Sequence, residues 1–158
     1  ITATITSKII SSFEAALSAC VALTAFIPML MDTGGNAGSQ ASVSVIRGLS
    51  MDEIEPKDAF RVLLKEVRVS LLCAATLAPV AFLKVLFIDR ETMLVSITVA
   101  FTLFFTVCLA KVIGCLLPLL AKKMKLDPAV MASPLITTVV DALSLLLYFA
   151  FASRILGL

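Results

Sequence analysis

The sequence has no histidine, no tryptophan and a single tyrosine, and only 15% of its 158 residues are charged. Without histidine, the chain lacks the commonest ligand of zinc, copper and nickel and the usual proton shuttle. Its four cysteines lie in apolar segments and form no CxxC pair, so we interpret them as packing residues. The net charge of +2 is too small to favour nucleic-acid binding. Any metal ion that the chain binds must therefore be held by oxygen atoms.

The sequence is instead rich in long apolar runs. Hydrophobic residues make up 60% of the chain, and its mean hydropathy of +1.09 lies outside the range of soluble globular domains. The runs are continuous and do not alternate with polar residues, which favours membrane-spanning helices over a β-barrel. No basic segment followed by a cleavage site opens the chain, so we expect the apolar segments to be retained. The composition predicts an all-α integral membrane protein.

The apolar segments predict one transmembrane domain of five helices over residues 1–158, without a cytoplasmic regulatory domain in this chain. The first segment, residues 1–12, is too short to cross about 30 Å of hydrocarbon, so we interpret it as a truncated helix. The other predicted segments are a second apolar region at 15–49, a third span at 69–88, a fourth at 92–120 and a fifth that begins at Asp127-Pro128, where the aspartate is a predicted N-cap.

Residues 50–68 are charged and predict a short amphipathic connector between the second and third helices. Its apolar stripe is Phe60, Leu63, Leu64 and Val67, at helical spacing. Lysine and arginine in short loops set the orientation of a membrane protein, and two connections hold most of them. Those residues are Arg47, Lys57, Arg61, Lys65 and Arg68 before the third span, and Lys122, Lys123 and Lys125 before the fifth. We therefore predict a multi-pass protein of the cell (plasma or inner) membrane with its N-terminus inside and its C-terminus outside.

Asp141 lies within the fifth apolar span, where a carboxylate costs at least about 2.5 kcal/mol to insert and is by default functional. Polar residues recur around it at helical spacing and fall on one face. They are Ser133, Thr137, Asp141, Ser144 and Tyr148. A serine and threonine seam between helices is the simpler interpretation of such a face. The carboxylate favours a water-lined face instead.

A second polar interruption, "PMLMDTGGNAGSQ" at residues 28–40, lies inside the second apolar region. Its three glycines include a G-x-x-x-G at Gly34 and Gly38, which is typical of close helix packing. They also allow a helix to open and expose backbone carbonyls, so we predict a bent or broken helix here. The side chains of Asp32, Asn36 and Gln40 share one face and supply only oxygen or amide groups. Together these features predict a passage for a hard cation.

The triplet Asp32-Thr33-Gly34 matches that of aspartic proteases, and Asp32 with Asp141 defines an alternative, an intramembrane aspartyl protease. That triplet works in a soluble β fold, and a protease would need both carboxylates at one depth. We therefore favour ion passage over an enzyme. A third hypothesis, a purely structural membrane subunit, would leave Asp141 replaceable by leucine.

Two stretches, "PMLMDTGGNAGSQASVSVIRGL" and "DPAVMASPLITTVVDALSLLLYF", resemble the signature regions of the transmembrane domain of MgtE magnesium channels. That family is similar to the eukaryotic SLC41 transporters. The resemblance implies a homodimer of five-helix subunits with a pore on the dimer axis, lined by the second and fifth helices. It implies that Asp141 of both subunits binds the ion, and that cytoplasmic regulatory domains belong to the full-length protein. Many members have asparagine where this chain has Ser39.

The resemblance and the residues together predict a channel that passes hydrated Mg²⁺ across the lipid bilayer. A cation-coupled carrier of Mg²⁺, Mn²⁺ or Co²⁺ is the alternative. The expected ion ligands are Asp141, Thr137, Gly35 and Asn36, and the expected pore lining is Asp32, Gly34, Gly38, Gln40, Ser133 and Ser144. Asp127 is a further candidate for a cation contact at the cytoplasmic mouth.

Overall fold

The computed structural model describes residues 2–14, 20–131 and 134–157, which form an all-helical bundle. Its α-helices are α1 (Thr2–Ser12), α2 (Ala22–Ser50), α3 (Ala59–Leu83), α4 (Met93–Lys123) and α5 (Pro134–Leu156). A 3₁₀ turn at Pro56–Asp58 precedes α3, a π-helical turn at Lys84–Ile88 continues it, and a second 3₁₀ turn at Pro128–Met131 precedes α5. The predicted five helices are confirmed.

Among the described residues, three helical segments are long and apolar enough to cross a membrane: Pro56–Ile88, Met93–Lys123 and Pro134–Leu156. The chain is therefore a membrane protein with several candidate spans. Helix α2 has 29 residues, more than the roughly 20 that a span requires, but its polar residues make it less apolar than these three. It packs against α4 and α5, which allows it to bury polar groups in protein rather than in lipid.

Helix α4 lies at the centre of the bundle and packs against α2, α3 and α5. The core forms three layers along it. The layer near the start of α4 contains large side chains such as Leu23, Tyr148 and Phe149. The middle layer is rich in alanine, with Ala37, Ala74 and Ala110, and the layer near the end of α4 contains Leu49, Cys115 and Leu119. Because side chains are smallest in the middle layer, the helices approach one another most closely there.

Hydrogen bonds cap the start of α4 and the turn that precedes α5. The backbone N–H of Val95 donates to Oγ1 of Thr92 at 3.3 Å, which caps α4. The backbone N–H of Ala129 donates to Oδ1 of Asp127 at 2.9 Å, as the N-cap prediction required. The capped element is the 3₁₀ turn, however, and α5 itself begins at Pro134 rather than at Pro128.

The predicted connector is not a separate element, because α3 runs continuously from Ala59 into the third span. Its predicted apolar stripe faces the bundle only in part: Leu63 packs against the layer near the end of α4, and Val67 is half-buried. Phe60 is 72% exposed and Leu64 is 42% exposed, and the face buried against the bundle is Val62, Glu66, Ser70 and Ala74. In a membrane protein the outward face can be as apolar as the core, so hydrophobic spacing alone did not identify the inward face.

The predicted break in the second helix is wrong as well. Helix α2 continues without interruption through Pro28 and through its three central glycines to Ser50. The glycines serve a different purpose, because they admit the backbones and side chains of α4 and α5. No backbone carbonyl is therefore released by an opening of α2 at this point.

Candidate ion-binding site

Two of the three glycines in the middle of α2 pack against neighbouring helices. A Cβ built on Gly34 would lie 2.7 Å from Cγ2 of Thr106 and 3.1 Å from Oγ of Ser144. One built on Gly38 would lie 3.1 Å from the carbonyl oxygen of Ala110, and one on Gly114 would overlap the carbonyl oxygen of Gly38. The backbones of α2 and α4 are therefore in direct contact, which fixes the distance between these two helices.

Gly35 faces the polar part of α5. A Cβ on Gly35 would lie 3.4 Å from Cγ2 of Thr137 and 3.8 Å from Oδ1 of Asp141. Three of the four predicted ion ligands are thus neighbours, and the fourth, Asn36, is the next residue on α2 and is exposed. Because Gly35 has no side chain, the half-buried Asp141 carboxylate lies close to the backbone of α2.

A second carboxylate lies close to this group. Asp32 is exposed on α2, one helical turn before Asn36. Neither carboxylate takes part in the ion pairs formed among the described residues. A half-buried carboxylate that is not paired in this way, such as that of Asp141, favours the binding of a cation beside it.

The polar face of α2 also borders a cavity of about 190 Å³ among α2, α3 and α4. Its walls include Asp32, Asn36 and Gln40 from α2, Cys73 and Leu77 from α3, and Val107 and Lys111 from α4. The predicted pore residues Asp32, Asn36 and Gln40 therefore line the same cavity, which is large enough for several water molecules. Oxygen atoms of carboxylate and amide groups are the ligands that hard divalent cations prefer.

The predicted water-lined face of α5 divides into two parts. Thr137 and Asp141 are half-exposed, whereas Ser144 and Tyr148 are fully buried. The hydroxyl of Ser144 donates to the carbonyl of Val140 at 2.7 Å, and that of Tyr148 donates to the carbonyl of Leu23 at 3.0 Å. The prediction of one continuous wet face is therefore wrong beyond Asp141, because the first half of α2 covers it. Ser133 lies outside the described residues.

The role of Gly34, Gly38 and Ser144 in lining a pore stays a prediction. Each is buried in the contact among α2, α4 and α5 within one subunit. Asp127 uses its carboxylate as a helix cap, which is its simpler predicted role. The polar side chains that are exposed or half-buried in this region are those of Asp141, Asn36, Asp32 and Gln40, together with Thr137, whose hydroxyl donates to the carbonyl of Pro134 at 3.1 Å.

One subunit does not complete a metal centre. The described residues contain no group of three or more histidine, cysteine, aspartate or glutamate side chains that could hold a metal ion. A divalent cation at Asp141 must therefore keep water ligands or gain further carboxylates from another copy. Magnesium is suited to the first arrangement, because it dehydrates reluctantly and usually keeps several waters.

Two charged residues of interest received no role from the sequence. Glu66 in α3 and Lys111 in α4 form an ion pair of 3.8 Å, and each side chain is only 7% exposed. Lys111 could have been singled out as an ionisable residue within an apolar span. Glu66 could not, because it lies in a segment whose charge is typical of a solvated connector.

The connector loop carries a more ordinary charged group. The Lys57 ammonium lies 2.9 Å from the Glu55 carboxylate. Asp58 accepts a hydrogen bond from the backbone N–H of Glu55 at 3.0 Å. These contacts fix the start of α3 and leave the remaining basic residues of the predicted inside-facing surface exposed.

Comparison with known proteins gives the chain a family. Residues 27–151 match the family described as MgtE, divalent cation transporter. The chain is 40% identical over 149 residues to the magnesium transporter MgtE of Bacillus subtilis, a match that covers 94% of the chain and 33% of that relative. It is 36% identical over 156 residues to the magnesium transporter MgtE of Thermus thermophilus, covering 99% of the chain and 34% of the relative. The chain thus spans about a third of the length of these curated relatives.

Proposed function

Because the chain belongs to the MgtE family of divalent cation transporters, we propose that it forms the membrane-spanning conduit of a magnesium channel. The family consists of transporters, so the chain is not an enzyme and the protease hypothesis is set aside. Mg²⁺ is the proposed substrate, and it passes in hydrated form. The observation that carries the proposal is the half-buried Asp141 carboxylate in a membrane span, next to Gly35 of α2.

The chemistry of the site supports a divalent cation. The Asp141 carboxylate attracts a dication twice as strongly as it attracts a monovalent ion at the same distance. Asn36 and Thr137 add polar oxygen atoms that can hydrogen-bond to the water shell of the ion. An ion held through water binds weakly enough to leave again, as conduction requires.

We further propose that the working unit is a homodimer with its pore on the twofold axis. One subunit leaves the Asp141 carboxylate half-exposed, so a second copy can place its own carboxylate beside the same ion. Two copies related by twofold symmetry, the commonest arrangement of soluble oligomers, would bring two Asp141 carboxylates to one ion. The relatives extend well beyond the matched region, which supports the proposal that regulatory domains accompany this one in the full-length protein.

Magnesium flux into liposomes that contain the purified full-length protein tests this function. Asp141→Asn keeps the size of the side chain and removes its charge, and we expect it to abolish selective divalent flux. Asp52→Asn is the matched control, because it makes the same chemical change in a loop residue whose φ of 54° suits asparagine. Flux of the Asp141→Asn protein equal to that of the control would refute the role of Asp141.

The alternative of a cation-coupled carrier has a separate test. A channel produces unitary current steps in a planar bilayer when only a Mg²⁺ gradient and a voltage are applied. A carrier produces no such steps, and its Mg²⁺ movement depends on a gradient of the coupled cation. We expect unitary currents, and flux that stops without a second cation gradient would favour the carrier.

A further inference from the structure

The buried ion pair of Glu66 and Lys111 has no part in the proposed pore. Its two charged atoms, Oε2 of Glu66 and Nζ of Lys111, are 3.8 Å apart, which is beyond hydrogen-bond length. Both side chains are 7% exposed. Removing two charges from water costs more than such a loose contact returns, so the pair is not explained as a source of stability.

The pair separates two cavities that contain charged side chains. Glu66 borders a cavity of about 750 Å³ at the end of the bundle where α2 stops and α3 starts. Lys111 borders the cavity of about 190 Å³ that also contains Asp32, Asn36 and Gln40. The Lys111 side chain is thus held by a carboxylate on one side and faces a carboxylate-containing cavity on the other.

The smaller cavity has the ligand chemistry of a cation site. A carboxylate and two side-chain amides supply oxygen ligands that suit Mg²⁺ or Mn²⁺, and the volume holds an ion with several waters. The Lys111 side chain, which carries a fixed positive charge, forms part of the wall of this same cavity. It repels a dication twice as strongly as it repels a monovalent ion at the same distance.

We propose that Lys111 is a specificity-determining residue whose ammonium group, held by Glu66, acts as a tethered cation and prevents divalent cations from binding beside Asp32. Divalent cations are thereby confined to Asp141. This inference rests on the proposed transport function. An ion retained in a side cavity would not reach the other side of the membrane, so excluding it from that cavity serves transport. Loss of the ammonium group converts the cavity into an additional divalent-cation site.

Equilibrium binding of Mn²⁺ to the purified full-length protein tests this proposal, with free Mn²⁺ measured by electron paramagnetic resonance. Lys111→Met should bind an additional Mn²⁺ ion per subunit compared with the unaltered protein. Adding Asp32→Asn to this variant should remove the additional ion. Glu66→Gln is the matched control, because it breaks the pair but keeps the ammonium group, and it should bind no additional Mn²⁺.

Lys111→Met leaves Glu66 buried without a partner and can fail to fold for that reason. The double variant Glu66→Gln with Lys111→Met removes both charges, and it should also gain a Mn²⁺ ion. The proposal is overturned if the folded variants that lack Lys111 bind no more Mn²⁺ than the unaltered protein, or if Glu66→Gln alone gains an ion. Repeating the titrations with Asp141→Asn present separates this result from the pore assignment, because the additional ion should persist in that background.

Discussion

Gly114→Ala tests the close packing of α2 on α4, on which the position of the candidate site depends. A Cβ at position 114 would overlap the carbonyl oxygen of Gly38 and would lie 2.9 Å from the carbonyl carbon and 3.1 Å from Cα of that residue. Backbone atoms of a packed helix cannot rotate aside as the end of a side chain can. The substitution therefore forces α2 and α4 apart.

The magnitude follows from two opposing terms. Overpacking a core costs about 1–3 kcal/mol, and we expect the upper end here because the contact is with backbone. Alanine has a better helix propensity than glycine, which stabilises the folded protein by up to about 1 kcal/mol. The free energy of unfolding should therefore fall by about 2 kcal/mol in total. At about 2–4 °C per kcal/mol for a chain of this size, the unfolding midpoint should fall by roughly 4–8 °C.

Gly35→Ala is the matched control, because it makes the same change where a Cβ has only ordinary contacts, at 3.4 Å or more. It should leave the midpoint unchanged or raise it slightly. Thermal unfolding can be followed in detergent with a thiol-reactive dye, since the native cysteines include the fully buried Cys115. Equal midpoints for the two alanine variants would refute the backbone contact between α2 and α4.

Three further predictions concern the site and its support. Gly35→Val and Asn36→Leu should reduce Mg²⁺ flux more than Ala22→Val does at equal expression, because both place apolar atoms near Asp141. Equal flux in the three variants would count against an ion-binding site beside Asp141. Tyr148→Phe should lower stability by about 1 kcal/mol through loss of its buried hydrogen bond to α2 while leaving Mg²⁺ flux intact, and an unchanged unfolding midpoint would show that the bond contributes nothing. Mixed dimers with one Asp141→Asn subunit, purified through two different affinity tags, should already show altered ion selectivity, whereas wild-type selectivity would mean that each subunit conducts alone.

The sequence located the helices well because membrane spans are long and their ends carry recognisable caps. It located Asp141 because a carboxylate in an apolar helix is rare and costly. The structure then placed Gly35 beside Asp141, as the resemblance implied, and also beside Thr137, which the spacing of polar residues puts on the same face of α5. These features depend on local composition or on single residues, which a sequence displays directly.

The wrong predictions for α2 and α3 have a common physical cause. A glycine that allows a helix to open and one that admits a neighbouring backbone look the same in a sequence, and the contact of Gly38 with Gly114 joins positions far apart in the chain. The inward face of α3 was missed because it contains Glu66 and Ser70, while its outward face contains Phe60. Where the surroundings are apolar, burial in protein cannot be deduced from hydrophobicity alone.

The location of a bound divalent cation tests the central claim most directly. Mn²⁺ can stand in for Mg²⁺ in crystals of the full-length protein, because its anomalous scattering marks its position. The account predicts an anomalous peak beside the Asp141 carboxylate, on the side facing Gly35, which disappears in crystals of the Asp141→Asn variant. A membrane-depth peak elsewhere that is unaffected by this substitution, with none at Asp141, would contradict it.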